Sequence, residues 1–245
     1  MPPDAALHHA LPTPPARTRT AGIAIAAAAL VSTAFVALDR SGGGHDPRSI
    51  LEGIARLQFL KEAVHGVAIA SVCAMAFGFA TLARALGLQR PAVLAGLVCY
   101  LFGSAAMIGA TILDGFVTPH VAVDAIAAAP ARLAFAYDLV HYLNLVLNDL
   151  AKLGWVLQAA GSLAWSSVLL AGRGAGRATG AVGLLSSLAV LGLIAASATS
   201  MTMTALLSVL VAQLAWNLAA GIFLVRGRRG SADASGAIHA SPAHA

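Results

Sequence analysis

The twenty residues from Gly180 to Thr199, GAVGLLSSLAVLGLIAASAT, carry no charge and are apolar on every side of a helix. At about 1.5 Å of rise per residue such a run covers roughly 30 Å, the thickness of a bilayer's hydrocarbon core. A strand of a membrane barrel would alternate polar and apolar side chains, and this stretch does not. Lipid offers no partner to backbone amides, so a helix that satisfies its own hydrogen bonds is the reading that fits.

The pattern recurs along the chain. Apolar runs predict membrane spans at 21–39, 62–84, 91–113, 149–171, 179–199 and 205–225. The composition agrees: 59% hydrophobic and 10% charged, where a soluble domain has about 25% charged residues. The expected fold class is therefore an all-α integral membrane protein, a bundle of about six transmembrane helices. Residues 1–20 and 230–245, rich in Ala, Pro, Ser and His, read as disordered tails around a membrane domain at 21–229.

Six spans put both termini on one side. Placing that side in the cytoplasm gathers Arg17, Arg19, Arg84, Arg90, Arg173, Arg177, Arg226, Arg228 and Arg229 there, and leaves Arg40, Arg48, Arg56, Lys61 and Arg132 outside. This follows the positive-inside rule and predicts a multi-pass protein of the cell inner membrane. The basic residues flank spans instead of forming one patch with interleaved aromatics, so nucleic acid is not an expected partner. The lipid bilayer is, together with a membrane-protein partner or a second copy of the chain. Cys73 and Cys99 fall in the middle of spans, where a structural disulfide is not expected.

The two long connections, 40–61 and 114–148, lie on the outer side in this topology. Asp46-Pro47 looks like a helix cap followed by proline at the first helical position, and Ile50, Leu51, Ile54, Leu57 and Leu60 recur at helical spacing. The second span is thus expected to begin as an amphipathic extension. Pro130 similarly starts a helix that runs into the fourth span, while Asp114 to His120, with Gly115 and Pro119, reads as a compact turn.

Ionisable residues in or beside spans are costly and mark candidate sites. Here they crowd the outer ends. Glu62-Ala63-Val64-His65 and Asp138-Leu139-Val140-His141 each place a carboxylate and a histidine three apart, on one helix face. Paired Glu-x-x-His elements hold two metal ions in carboxylate four-helix proteins. Glu62, His65, Asp114, His120, Asp138 and His141, with Asp39 in reserve, form a candidate site for a divalent transition metal: iron, manganese, zinc or copper. That reading makes the chain a metal-dependent membrane enzyme. A variant has His65 and His141 ligating one b-type haem.

Depth argues against both. Measured from Arg84, Arg90 and Arg173 as inner anchors, His65 stands roughly 28 Å up, Asp114 roughly 36 Å and His141 roughly 48 Å. Asn148, Asp149 and Lys152 reach the level of Asp114 without any tilt, which favours a polar vestibule of Glu62, His65, Asp114, Asn148, Asp149 and Lys152. The stripe His141, Asn144, Asn148, Asp149 and Lys152 on the fourth span, continued by Gln213 and Asn217 on the sixth, supports the alternative function: a small permease, or a helical accessory subunit that docks a partner. The chain has no phosphate-binding glycine loop with a following lysine, no H-E-x-x-H, no G-x-S-x-G and no paired redox thiols.

Overall fold

The computed structural model describes residues 15–38, 46–197 and 203–226, and contains no strand among them. Its helices are α1 (Pro15–Leu38), α2 (Pro47–Arg56), α3 (Gln58–Leu86), α4 (Pro91–Ile112), a π-helical segment (Leu113–Val117), α5 (Thr118–Ile126), α6 (Pro130–Leu170), α7 (Ala175–Ala196) and α8 (Met203–Arg226). Six stretches are long and apolar enough to cross a membrane: α1, α3, the rod from α4 to α5, α6, α7 and α8. The helix of α1 begins at Pro15, ahead of the expected start at 21. The rest of the expected tails, and Asp39, lie outside the described residues.

The spanning helices form a closed ring in which α3 packs on α4, α4 on α6, α6 on α7, α7 on α8, α8 on α1 and α1 on α3. Large apolar side chains such as Phe77, Leu94, Phe102, Leu185 and Val211 point away from the ring. In the half of the ring nearer Arg84 and Arg90, Phe79 fills the centre. It stacks on Trp165 (5.2 Å between ring centroids) and Trp216 (5.9 Å) and touches Tyr100 (4.4 Å).

Glycine sets the register of α4 against α6. A Cβ on Gly103 would stand 2.7 Å from the Gly154 carbonyl oxygen, and one on Gly161 would stand 2.6 Å from that of Gly96. Only glycine at these crossings lets the two backbones approach so closely. The Trp165 indole N–H donates to the Val93 carbonyl at 3.2 Å, in the same register.

The segments between spans differ from the expectation. Asp46 caps α2: its Oδ1 accepts from the amides of Arg48 (3.0 Å) and Ser49 (3.1 Å), and the Ser49 hydroxyl accepts in return from the Asp46 amide. Pro47 occupies the first helical position. These are the features read from the sequence, yet α2 is a helix of its own, broken from α3 at Leu57.

Nor is there a compact turn at Asp114 to His120. The chain continues there as helix, through a π segment in which the Thr118 amide bonds the Leu113 carbonyl five residues back. Pro119 is the physical reason we assign. It has no amide proton and its ring would clash with the carbonyl four residues earlier, so a wider turn ahead of it keeps the rod continuous.

The expected outer loop at 114–148 is accordingly almost all helix. α6 alone runs 41 residues without a break, roughly 60 Å, about twice the hydrocarbon thickness. Its first half packs with α2 and α5 around Leu51, Ile54, Ala122, Ala125, Ala136 and Val140, a small apolar cap over one end of the ring.

Candidate functional site

Beneath that cap, α3 and the π segment bring three ionisable side chains together. Lys61 and His65, 7% and 8% exposed, lie one turn apart on α3. Asp114 projects from the π segment between them. The Lys61 ammonium donates to Asp114 Oδ1 at 2.8 Å, and His65 Nε2 lies 3.1 Å from Asp114 Oδ2. His65 Nδ1 lies 2.8 Å from the Lys61 carbonyl oxygen.

A carbonyl and an ionised carboxylate only accept, so His65 makes both hydrogen bonds at once only when both of its ring nitrogens carry protons. Gly115 makes the contact possible. A side chain there would collide with Cβ and Cγ of His65, so the neighbour of Asp114 must be glycine for the helices to meet at this depth.

Lys61 and Asp114 border a cleft of about 270 Å³ between the ring and the cap, with His65 behind them. Lys61, Asp114, Thr118, Tyr137, His141 and Asn144 supply its polar lining, and Ile50, Ile54 and Val140 its apolar side. Thr118 is 3% exposed, and its buried hydroxyl oxygen has no hydrogen-bond partner among the described residues.

The six candidate metal ligands do not assemble. No group of three or more His, Cys, Asp or Glu side chains is placed to hold a metal ion among the described residues. Glu62 and His65 diverge despite their spacing: Glu62 accepts from Gln58 Nε2 at 2.7 Å and faces His120 at 3.8 Å, while His65 turns to Asp114. His120 Nδ1 donates to the Phe116 carbonyl at 2.7 Å. Asp138 is exposed, and His141 reaches the cleft but not the triad. Both ring nitrogens of His65 are within hydrogen-bond distance of protein oxygens, while His141 lines the cleft.

The polar stripe of α6 is divided differently from the expectation. His141 and Asn144 enter the cleft; Asn148 turns back to donate to the Asn144 carbonyl at 2.7 Å; Asp149 is exposed and Lys152 half-buried, and neither lines it. The reason is the glycine register. Continued upward, it sets Asp114 level with the stretch from His141 to Asn144, and downward it sets Arg90 level with Ser167. Arg173, six residues beyond Ser167 and past the end of α6 at Leu170, is therefore not level with Arg90.

Sequence reasoning passed over Lys61, Thr118 and Tyr137 as site residues. Lys61 had a readable signal. It is one of only two lysines in the chain, and it sits four residues before His65 on the same helix face.

Deeper in the ring, Gln213 and Asn217 of α8 border a second cavity of about 70 Å³, which Tyr100, Trp155 and Gln158 also line. The Asn217 amide donates to the Met75 sulfur at 3.5 Å, and that of Gln158 to the Ser104 hydroxyl at 3.4 Å. Cys73 and Cys99 are free thiols.

No protein-family model, no curated protein and no solved structure matches this chain.

Proposed function

We propose that this chain is a small permease of the cell inner membrane, in which Lys61, His65 and Asp114 form a proton-handling site at the mouth of an outward-facing cleft. One observation carries the reading: a lysine, a histidine and a carboxylate meet beside a membrane span, and the lysine and the carboxylate border a cleft with hydrogen-bonding walls. Charges in such places are expensive, and they mark proton relays and solute routes far more than they serve packing. Histidine is the side chain whose proton moves most readily near neutral pH.

Other features agree. The positive-inside rule puts the arginine-rich ends in the cytoplasm and therefore turns the cleft outward. A ring of six helices leaves an interior along which a solute can move, and the stacked rings of Phe79, Trp165 and Trp216 close its cytoplasmic half. The arrangement corresponds to an outward-open state with the inner side shut. A π segment carrying an ionised side chain fits the same role, since such segments recur at functional sites.

Purified protein reconstituted in liposomes with an internal pH-sensitive dye tests the reading. Small polar solutes of several classes, including amides, polyols, amino acids and short carboxylates, are added outside. At least one class is expected to drive a change of internal pH that protein-free liposomes do not show. A response no larger than that of empty liposomes across every class would reject the permease.

A further inference from the structure

Near the top of the cap, where the chain turns from α5 into α6, the two helices leave a groove of about 140 Å³ between them. Val121 and Leu139 line it, and so does Phe135, which is 67% exposed. Asp124 and Arg132, both exposed, give the groove one charge of each sign. No ion pair engages either of them among the described residues. Tyr142, 64% exposed, continues the face of Phe135 and Leu139 at helical spacing, so the apolar surface is contiguous.

Lipid tails do not account for this face. Phe135 lies thirty-two residues up α6 from Ser167, which is level with Arg90; that is roughly 48 Å, against a hydrocarbon core of roughly 30 Å. A tilt of about 40°, the upper end of the usual range, still leaves it roughly 37 Å up. Two unpaired charges in the groove say the same, because hydrocarbon would make them costly. The phenyl ring therefore stands beyond the tails, where a contiguous apolar patch with a polar rim marks an interaction surface.

The charges point to the occupant. In a bilayer two copies of one chain share their orientation, so a two-fold axis between them runs along the membrane normal and residues meet at equal height. Asp124 stands two residues before the end of α5 at Ile126, and Arg132 two residues after the start of α6 at Pro130, which sets them level on either side of the turn. A groove with one acid and one base at one height is complementary to itself. Its size suits the apolar part of such a contact: benzene fills a cavity of about 150 Å³, close to the volume of the groove.

We infer that the α5–α6 groove is a homodimer interface, in which Asp124 of each copy pairs with Arg132 of the other and Phe135 of each packs into the other's groove. The inference does not rest on transport. Tyr137, His141 and Asn144 line the cleft from the opposite face of α6, so the contact leaves the cleft of both copies open.

The whole chain, labelled in two colours and reconstituted in liposomes, tests it, with association read by energy transfer as added lipid dilutes the copies. Wild type is expected to associate. Asp124→Arg and Arg132→Asp each set like charges against one another twice, and either variant alone should associate at least tenfold more weakly. Mixed together, the two variants regain both pairs and should associate as the wild type does, which a pairing within one chain cannot produce. Phe135→Arg should weaken association at least tenfold, while Phe59→Arg, at an 84% exposed position on α3, should not. All four positions are exposed, so the changes do not threaten the fold.

A wild type that stays monomeric at every dilution would overturn the inference and leave this face to lipid headgroups. So would a mixture that associates no better than its two components, or association undiminished by Phe135→Arg. Association lost in Phe59→Arg but kept in Phe135→Arg would place the dimer on another surface and overturn it as well.

Discussion

Gly103 on α4 and Gly154 on α6 meet backbone to backbone, with each one's missing Cβ within 3.0 Å of the other's carbonyl oxygen. This contact decides which polar residues of α6 reach Asp114. We expect Gly103→Leu to force the helices apart and to lower stability by at least the ~1–3 kcal/mol typical of overpacking. Gly66 is the control, for a Cβ there meets nothing within 4 Å. Gly66→Ala should be neutral or stabilising by up to ~1 kcal/mol through helix propensity. Thermal unfolding in one detergent compares them; equal midpoints for Gly103→Leu and wild type would contradict the packing.

Asp114 pairs with the Lys61 ammonium and with the His65 ring, and its side chain is 27% exposed. Replacing it by Ala leaves the Lys61 ammonium and the His65 ring enclosed without that carboxylate. Removal of one partner from a buried pair costs about 3–5 kcal/mol, and partial exposure places this case at the low end. Lys61→Met combined with Asp114→Asn removes opposite charges together and should recover part of the loss. Denaturation of the single and double variants measures the coupling, and strictly additive losses would show that the ion pair has no energetic role.

Metal removal should leave the molecule unchanged. His65 and Lys61 pair with Asp114, while Glu62 turns to Gln58, so the three acids and histidines do not converge on one point. Prolonged treatment with a chelator is expected to leave the unfolding midpoint where it was, and a drop of several degrees, restored by one divalent ion, would reinstate a metal site.

Much of this fold is written in hydropathy. Every apolar run read from the chain corresponds to a spanning helix, and the cap on α2 follows from Asp46, Pro47 and Ser49 because capping is local chemistry. The register between helices is not local. It was misjudged by treating arginines as a common floor, whereas Gly96, Gly103, Gly154 and Gly161 set it through backbone contact, and small-residue spacing alone does not say which glycine meets which. The turn assigned at Asp114 to His120 failed for a similar reason: Gly115 serves the approach of His65, and Pro119 is absorbed by a π segment, so neither acts as punctuation. Of the candidate site, His65, Asp114, His141 and Asn144 were legible as costly polar residues near a span, while the partner Lys61 was counted only as a topological marker.

The most direct test of the permease account compares wild type with Asp114→Asn in liposomes, following internal pH after addition of whichever solute drives the wild type. Asn keeps the size of the side chain but replaces one accepting oxygen by a donating NH2 and cannot hold the ionised state that pairs with Lys61 and His65. The account predicts that solute-driven proton movement falls at least tenfold in Asp114→Asn while the protein stays folded and inserted; an unchanged rate would contradict it.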